Sequence, residues 1–421
     1  MKTLSALLLL AVAAAHAADL VEHVKANADG RPAFSFDAGS WTDTEAVRHL
    51  PVGVFDSGIG GLTVLEALLN LDSFHNDTLE PGADGLPDFA QERFIYFGDQ
   101  ANMPYGNYSA VNRTDYLREL ILKDAVFLLG RRAWPAKGQE PTYDKPPVKA
   151  IVIACNTATA YGLEDIRKAV ETWKIPVIVV GVVEAGARSV LESRNTGGIG
   201  ILATVGTCAS RVYPRTISST LGRAGQRVPV IAQQGSATLA GAIEGDAAFP
   251  DSVSAYAMKE VRALAEAYRA EKPETPLQTI VLGCTHYPLA KEEIDTAFAT
   301  LRQDSAFRDI IAERRSFVNP AEATARELFR ELARSKLRLK PGESCVMERE
   351  RFYLSVPRVE EVGIQLSGDG SLDKDYKYSR SPGHFDFEDT KNVPLTVDLI
   401  PKNSANLIKD KLPAVWKALG H

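Results

Sequence analysis

The sequence has no excess of basic residues and few cysteines, and each shortage excludes a class of protein. Its 48 lysines and arginines are outnumbered by 54 aspartates and glutamates, which gives a formal net charge of −6. Nucleic acids and anionic membrane surfaces attract clustered positive charge, so no nucleic-acid partner is expected. Four cysteines in 421 residues are too few and too widely spaced for a small disulfide-stapled domain. A small molecule is therefore the expected partner.

Long apolar runs are also scarce. After residue 17 no stretch is continuously apolar over the roughly 20 residues that a spanning helix needs. Residues 1–17 contain an apolar run over 4–15, broken only by Ser5, and then Ala15-His16-Ala17, which has the small-x-small form of a cleavage site. This pattern predicts a cleaved signal peptide over 1–17 and a periplasmic or secreted mature chain without membrane attachment. An uncleaved membrane anchor is the alternative.

The remaining chain is long enough for two domains, because domains usually contain about 100 to 200 residues. Short apolar, β-rich segments alternate with helical patterns along it. These segments are 52–55, 94–97, 150–154, 176–180, 198–203, 228–232 and 279–283. The alternation predicts an α/β fold with doubly wound, mainly parallel sheets. Residues 151–154 are apolar at every position, which is typical of a strand buried on both faces.

The chain contains an imperfect internal repeat. Residues 52–58 are echoed by 199–204, residues 174–180 by 227–232, and residues 150–157 by 279–286. The last pair of segments brings Cys155 and Cys284 to the ends of two predicted strands. Ligands bind outside the carboxyl ends of the strands in open α/β sheets. The repeat therefore predicts two similar domains, related by a pseudo-two-fold axis, with one thiol on each side of an interdomain cleft.

Two opposed thiols suit racemisation, which removes a proton from one face of a carbon atom and returns one to the opposite face. One cysteine acts as the thiolate base while the other acts as the thiol acid. An ordinary thiol has a pKa near 8.5, so a basic cysteine needs a neighbouring group that tunes it. The candidates are Asp56, Glu184 and His286, of which the first two follow predicted strands and the third follows Cys284 by two residues. Taken singly, a cysteine after an apolar strand is more often an inert core residue, and Asp56 is more often a helix cap or turn residue.

An ordered set of motifs resembles glutamate racemase, in the aspartate/glutamate racemase superfamily. The resemblance covers about residues 52–327. Its motifs are Phe55-Asp56-Ser57-Gly58-Ile59-Gly60-Gly61, Gly98-Asp99 with Pro104-Tyr105-Gly106, Cys155-Asn156-Thr157-Ala158-Thr159-Ala160, Gly181-Val182-Val183-Glu184-Ala185-Gly186-Ala187, Thr204-Val205-Gly206-Thr207 with Ser210 and Tyr213, and Gly283-Cys284-Thr285-His286-Tyr287-Pro288-Leu289.

The resemblance implies conversion of L-glutamate to D-glutamate without pyridoxal phosphate, any other cofactor or a metal. It implies that Cys155 and Cys284 are the acid/base pair, and that Asp56, Glu184 and His286 support them. The residues implied to bind an acidic amino acid are Asp56, Ser57, Pro104, Tyr105, Gly106, Asn156, Thr157, Thr285 and His286. Backbone amides and hydroxyls at these positions suit carboxylates. Dimers are common in the family, which makes a homodimer a candidate assembly.

The resemblance also implies a domain organisation. Residues 51–178 and the returning chain 317–421 form the first α/β domain, and residues 179–316 form the second. The chain departs from the family at Asn102, where an arginine is usual, and at Asn319, where an aspartate is usual. These changes remove one cation and one anion, which would compensate each other if the two groups normally interact. Beyond about residue 335 the chain is longer than the family requires, and 351–355 has the pattern of an added strand.

Three alternatives remain open. The substrate of the racemase could be aspartate instead of glutamate. An exported amino-acid-binding protein would keep the cleft without turnover. A redox-responsive protein would pair Cys155 with Cys284, although thiols that flank a substrate carbon should be farther apart than a disulfide permits.

Overall fold

The structure is a computed structural model that describes residues 19–421. The signal peptide predicted at 1–17 lies outside the described residues. Residues 19–26 are helical, and the segment 19–41 packs against the first sheet. Within the part of the chain that is described, no helix has both the length and the apolar character needed to cross a membrane.

Strands and helices alternate along most of the described chain. The strands are β1 (Val52–Asp56), β2 (Phe94–Gly98), β3 (Ala150–Ile153), β4 (Ile178–Gly181), β5 (Gly198–Thr204), β6 (Ile231–Ser236), β7 (Leu277–Gly283), β8 (Ile311–Val318), β9 (Arg351–Pro357) and β10 (Thr390–Pro394). The helices are α1 (Thr44–Arg48), α2 (Leu62–Asn70), α3 (Gly106–Ala110), α4 (Thr114–Leu129), α5 (Asn156–Trp173), α6 (Val182–Ser193), α7 (Val205–Ser210), α8 (Val212–Arg223), α9 (Leu239–Glu244), α10 (Val253–Ala270), α11 (Lys291–Leu301), α12 (Pro320–Arg334), α13 (Lys374–Ser379), α14 (Lys402–Lys411) and α15 (Pro413–Ala418). Short 3₁₀ helices cover Ala38–Trp41, Gln100–Asn102, Tyr287–Ala290 and Val397–Leu399.

The strands form two sheets. The first has the order β10-β9-β2-β1-β3-β4, and only its edge strand β10 runs antiparallel to its neighbour. The second has the order β6-β5-β7-β8 and is entirely parallel. Every residue of β1 and β3 is buried, as the continuous apolar pattern predicts for central strands of a covered sheet. The predicted α/β class with mainly parallel sheets is confirmed.

The sheet topology defines the internal repeat. The order β2-β1-β3-β4 in the first sheet matches β6-β5-β7-β8 in the second. This match relates β1 to β5 and β3 to β7, in agreement with two of the sequence echoes. The third echo, between 174–180 and 227–232, does not join equivalent strands. Segment 174–180 leads into β4, whose counterpart is β8, whereas segment 227–232 leads into β6. Short apolar strands after a proline look alike locally, and only strand pairing shows their place in a sheet.

Sheet membership differs slightly from the predicted domain limits. The limit between 178 and 179 falls inside β4, which belongs to the first sheet, and the limit between 316 and 317 falls inside β8, which belongs to the second. Helix α12 then returns to pack against α2 and β4. The additional C-terminal chain extends the first sheet, because β9 pairs with β2 and includes the strand predicted at 351–355.

A glycine in β5 offers a test of the core of the second domain. A Cβ atom at Gly198 would overlap the hydroxyl of Tyr268, which is fully buried and donates a hydrogen bond to the Thr275 carbonyl over 2.7 Å. We expect Gly198→Ala to lower the free energy of unfolding by about 1–3 kcal/mol, as overpacking typically does. Denaturant unfolding measures the change. Gly222→Ala is the matched control, because no atom lies within 4 Å of its added Cβ; equal stability of both variants would contradict the packing described here.

Candidate active site

Cys155 lies where β3 ends and α5 begins. Its Sγ atom accepts a hydrogen bond from the Ala158 amide over 3.4 Å, so the thiol caps the helix, and it lies 3.7 Å from the Ser57 hydroxyl. The residue is buried. Burial raises the pKa of the Cys155 thiol well above its usual range, and the negative charge of Asp56 raises it further.

Asp56 ends β1, the strand beside β3. Its carboxylate accepts hydrogen bonds from the amides of Gly58, over 3.3 Å, and Gly61, over 3.0 Å. Burial raises the pKa of Asp56, whereas the charge of His286 and these amide bonds act in the opposite direction. A carboxyl group of this kind beside a thiol can accept and return a proton. Asp56, Ser57 and Cys155 are thus brought together as predicted from the sequence.

Cys284 follows β7, the counterpart of β3, and is also buried. Its Sγ atom lies 3.7 Å from Nδ1 of His286, whose Nε2 lies 2.5 Å from a carboxylate oxygen of Glu244. Burial alone would lower the pKa of His286, but the Glu244 carboxylate and the nearby thiol raise it well above its ordinary value. The pKa of Glu244 is lowered by His286 despite burial. The three side chains therefore form a chain of polar contacts from Glu244 through His286 to the second thiol.

The glutamate beside His286 is Glu244, whereas Glu184, which the resemblance implies as a supporting residue, lies elsewhere. Glu184 lies in the first turn of α6, where it accepts hydrogen bonds from Arg167 over 2.6 and 2.8 Å, and about 40% of its side chain is exposed. It has no hydrogen bond to either thiol. Glu244, which the sequence analysis missed, ends the short helix that follows β6. The signal for it was its place after a strand of the second half, at the carboxyl edge from which Cys284 also extends.

The two halves of the molecule meet beside the thiols. The Thr63 hydroxyl donates to the Thr285 carbonyl over 2.9 Å, and the Tyr213 hydroxyl donates to Oδ1 of Asn156 over 2.6 Å. The hydroxyls of Thr157 and Thr207 lie 3.3 Å apart. The predicted residues Asn156, Thr157 and Thr285 are therefore brought together at the junction, where they also hold the halves against each other.

Gly106 and Gly206 lie close together across this junction. A Cβ atom on Gly206 would lie 2.7 Å from the Cα atom of Gly106. Only glycine at position 206 permits this approach, because any side chain would force the backbones apart. The predicted binding segment 104–106 consequently lies at the junction as well.

The Tyr105 side chain has a different position from the one expected of a substrate contact. It is fully buried, and its hydroxyl lies 2.6 Å from both Asp99 and Asp124. One hydroxyl hydrogen can bond only one of these carboxyl groups, so the other carboxyl must carry a proton. Burial and the charge of Asp99 raise the pKa of Asp124 well above its usual range, which assigns the proton to Asp124. The buried Tyr105 side chain thus anchors its loop.

The two departures at Asn102 and Asn319 have separate partners. Asn102 donates to Asp99 over 2.9 Å and accepts a hydrogen bond from Arg380. Asn319 caps α12, where its side-chain oxygen accepts from the Ala321 amide over 3.0 Å. The structure thus explains each asparagine locally.

The described residues form neither a metal cluster nor a disulfide. Across residues 19–421, no group of three histidine, cysteine, aspartate or glutamate side chains is arranged to hold a metal ion. All four cysteines, Cys155, Cys208, Cys284 and Cys345, are unpaired.

The chain is similar to known racemases. Residues 133–327 match the Asp/Glu/Hydantoin racemase family. A glutamate racemase of Geobacter metallireducens is 33% identical over 290 residues, which are 69% of this chain and 82% of that protein. A glutamate racemase of Parafrankia is 32% identical over 289 residues, or 68% of this chain and 79% of the relative. The chain belongs to the glutamate racemase family.

The solved structure of a glutamate racemase isoform from Bacillus anthracis has the same fold. It superposes with a TM-score of 0.51 at 24% identity and covers 72% of this chain and 88% of its own. Membership of the family makes this protein an amino-acid racemase, an isomerase. The additional C-terminal chain described above belongs to the part that lies beyond the family match at 133–327.

The His286–Glu244 pair predicts a pH dependence of this racemase. In Glu244→Gln the carboxylate that raises the His286 pKa is lost, while burial, which lowers that pKa, remains. The imidazolium then loses its proton at lower pH, so the alkaline limb of kcat/KM should move to lower pH. Each pKa unit corresponds to about 1.4 kcal/mol, and we expect a loss in kcat/KM on the order of tenfold at mildly alkaline pH.

The matched control is Glu184→Gln, which removes a carboxylate of the same kind from a partly exposed ion pair. Its pH profile should overlay that of the unmodified enzyme. A shift of the alkaline limb in Glu184→Gln, with none in Glu244→Gln, would reverse the assignment of the two glutamates.

Proposed function

We propose that this protein interconverts L-glutamate and D-glutamate through a two-thiol mechanism without a cofactor. The observation that carries the proposal is the placement of Cys155 and Cys284. The thiols follow topologically equivalent strands, β3 and β7, and each is buried beside its own proton-transfer group. This arrangement supplies an acid and a base from two related halves of the chain, as inversion of a carbon centre requires.

The proton steps follow from these positions. The thiolate of one cysteine takes the α-proton, and the electron pair of the broken C–H bond is delocalised into the adjacent carboxyl group. The thiol of the other cysteine then donates its proton to the opposite face of the carbon. Asp56 exchanges protons with Cys155, and His286, held by Glu244, exchanges protons with Cys284. In the reverse direction the two cysteines exchange roles.

Glutamate is favoured over aspartate by the relatives, since those from Geobacter metallireducens and Parafrankia are both named glutamate racemases. The site offers several groups that suit a dicarboxylic amino acid. The N-terminus of α5 begins directly after Cys155, and free amides at a helix N-terminus attract carboxylates. Ser57 and the backbone of 104–106 add further hydrogen-bonding groups.

We also propose that the enzyme is exported after cleavage of residues 1–17, because that segment has the pattern of a signal peptide. An exported racemase would act on amino acids outside the cytoplasm, away from the synthesis of peptidoglycan precursors. Cell fractionation with N-terminal sequencing tests this part: a cytoplasmic protein that still begins at Met1 would contradict it.

The two-thiol mechanism predicts a characteristic pattern of isotope incorporation. In deuterated water, each thiol exchanges its proton with solvent, so the enantiomer formed from L-glutamate should carry deuterium at the α-carbon. The remaining L-glutamate should stay largely unlabelled at early times. The reason is that one thiol removes the α-proton of L-glutamate, whereas the other thiol delivers deuterium to the opposite face of the carbon. Mass spectrometry of the separated enantiomers measures both. Equal labelling of substrate and product would contradict the mechanism, and binding of glutamate without exchange would favour a binding protein.

Removal of either thiol should stop racemisation in both directions. We expect Cys155→Ala and Cys284→Ala each to lower kcat by on the order of 10³-fold, which is within the usual contribution of an acid/base group. The circular dichroism signal of glutamate follows the reaction from either enantiomer. Cys208→Ala is the control, since Cys208 is an unpaired, partly buried thiol with no part in the proposed mechanism and should be dispensable. Retention of activity in either of the first two variants would contradict the proposal.

A further inference from the structure

The C-terminal chain beyond β9 covers the segment 102–107, here called the binding loop, which carries the predicted substrate-binding residues Pro104, Tyr105 and Gly106. Nζ of Lys377 donates to the Met103 carbonyl over 2.8 Å. The Tyr378 hydroxyl accepts a hydrogen bond from Nδ2 of Asn107 over 3.1 Å. Helix α13 thus contacts both ends of the binding loop.

Arg380 directly follows α13 and makes the most buried of these contacts. Only 9% of its side chain is exposed. Its guanidinium donates to Oδ1 of Asn102 over 2.5 Å and to the Tyr108 hydroxyl over 3.2 Å, and it forms an ion pair with Asp389. It also stacks over the Tyr116 ring, 4.9 Å from the ring centre. A buried cation is costly unless it is paired and hydrogen-bonded, and all these partners reduce that cost.

The contact continues from Arg380 to Tyr105 through two side chains. Asn102 donates to Asp99 over 2.9 Å, and Asp99 accepts a hydrogen bond from the Tyr105 hydroxyl over 2.6 Å. The extension reaches the same carboxylate a second time, because the Ser355 hydroxyl in β9 donates to Asp99 over 2.7 Å. The extension therefore holds the binding loop at its first residue, at the Met103 carbonyl and through the Tyr105 anchor.

Two further observations describe how the extension meets the binding loop. No residue of α13 is fully buried, and besides its hydrogen bonds the helix is attached through Tyr378, whose ring packs edge-on against the buried Tyr108 ring with the ring centres 4.8 Å apart. On the other side of the binding loop, Gly106 abuts Gly206 of the second half. The binding loop therefore contacts Gly206 on one side and the C-terminal extension on the other, and these contacts together define its position at the cleft.

We propose that Arg380, assisted by Lys377, is a positioning residue of the racemase, which holds the binding loop in its substrate-binding position. This inference rests on the proposed function, since it assigns the loop to glutamate binding. It gives the C-terminal extension a role in substrate affinity through residues that touch neither thiol.

Kinetics of three single variants test the role. We expect Arg380→Ala to raise KM for both enantiomers of glutamate by on the order of tenfold to a hundredfold, the range that follows small misplacement of binding groups. The kcat should fall less, because Cys155 and Cys284 keep their partners. Lys377→Met should also raise KM, but by a smaller factor. Because it leaves no unpaired buried charge, this variant keeps the test valid if Arg380→Ala folds poorly.

The matched control is Arg358→Ala. Arg358 lies in the same extension and pairs with Glu361 and Glu388, without a contact to the binding loop. It should lower thermal stability with unchanged KM. A KM in Arg380→Ala and Lys377→Met equal to that in Arg358→Ala would overturn the positioning role.

The double variant Asn102→Arg/Arg380→Ala tests whether a cation at this position is needed for a low KM. Asn102→Arg places a guanidinium in the space that Arg380→Ala vacates, since the two native side chains are in contact. We expect the double variant to recover most of the lost affinity. Failure to recover any affinity, in a variant as stable as Arg380→Ala, would count against a role for the cation at this place.

Amide hydrogen exchange gives a readout that does not need turnover. Peptides that span 102–107 should exchange faster in Arg380→Ala and Lys377→Met than in the unmodified protein or Arg358→Ala. If the unmodified protein fails to racemise glutamate, the proposed function fails, and unchanged exchange in these peptides would overturn the positioning role independently. Faster exchange without turnover would support Arg380 as the residue that holds the loop, while glutamate as the ligand would be abandoned.

Discussion

The active site depends on the meeting of two carboxyl edges, one from each parallel sheet. In the proposed mechanism, neither Cys155 nor Cys284 can act on both faces of a carbon atom from its own half of the molecule. The hydrogen bonds from Thr63 to Thr285 and from Tyr213 to Asn156 hold these edges together. Glycine at position 206 lets the backbones approach closely at the same junction. The distance between the halves is therefore set by tight packing, which protein interiors resist changing.

Burial gives the two thiols related but unequal surroundings. Cys155 lies beside Asp56, a carboxyl whose pKa is raised because it is buried, whereas Cys284 lies beside an imidazole whose pKa is raised by Glu244. Two halves with the same strand order thus carry different proton-transfer groups. Inversion needs a proton acceptor and a proton donor on opposite faces of one carbon, and it does not require them to be chemically identical. The repeat therefore preserves the positions of the thiols and leaves their partners free to differ.

In the proposed role, the C-terminal extension positions the binding loop of the site without adding a catalytic group. Its strand β9 continues the first sheet next to β2, and this pairing brings Ser355 to Asp99. From there the chain returns over the binding loop and buries Arg380 against Asn102. Loss of either partner of the Arg380–Asp389 pair would leave an uncompensated buried charge, which is strongly unfavourable in a protein interior.

The sequence by itself determined the α/β class, the ends of the central strands and the placement of both cysteines after β3 and β7, because apolar runs and the residues that follow them are local properties. It also identified Asp56 and His286, which are close in sequence to those ends. Only the tertiary structure decided that Glu244, instead of Glu184, accompanies His286, and that Arg380 meets Asn102 across 278 residues. The direction in which a helix turns its side chains depends on packing against other elements. For that reason, contacts between distant segments could not be obtained from local patterns.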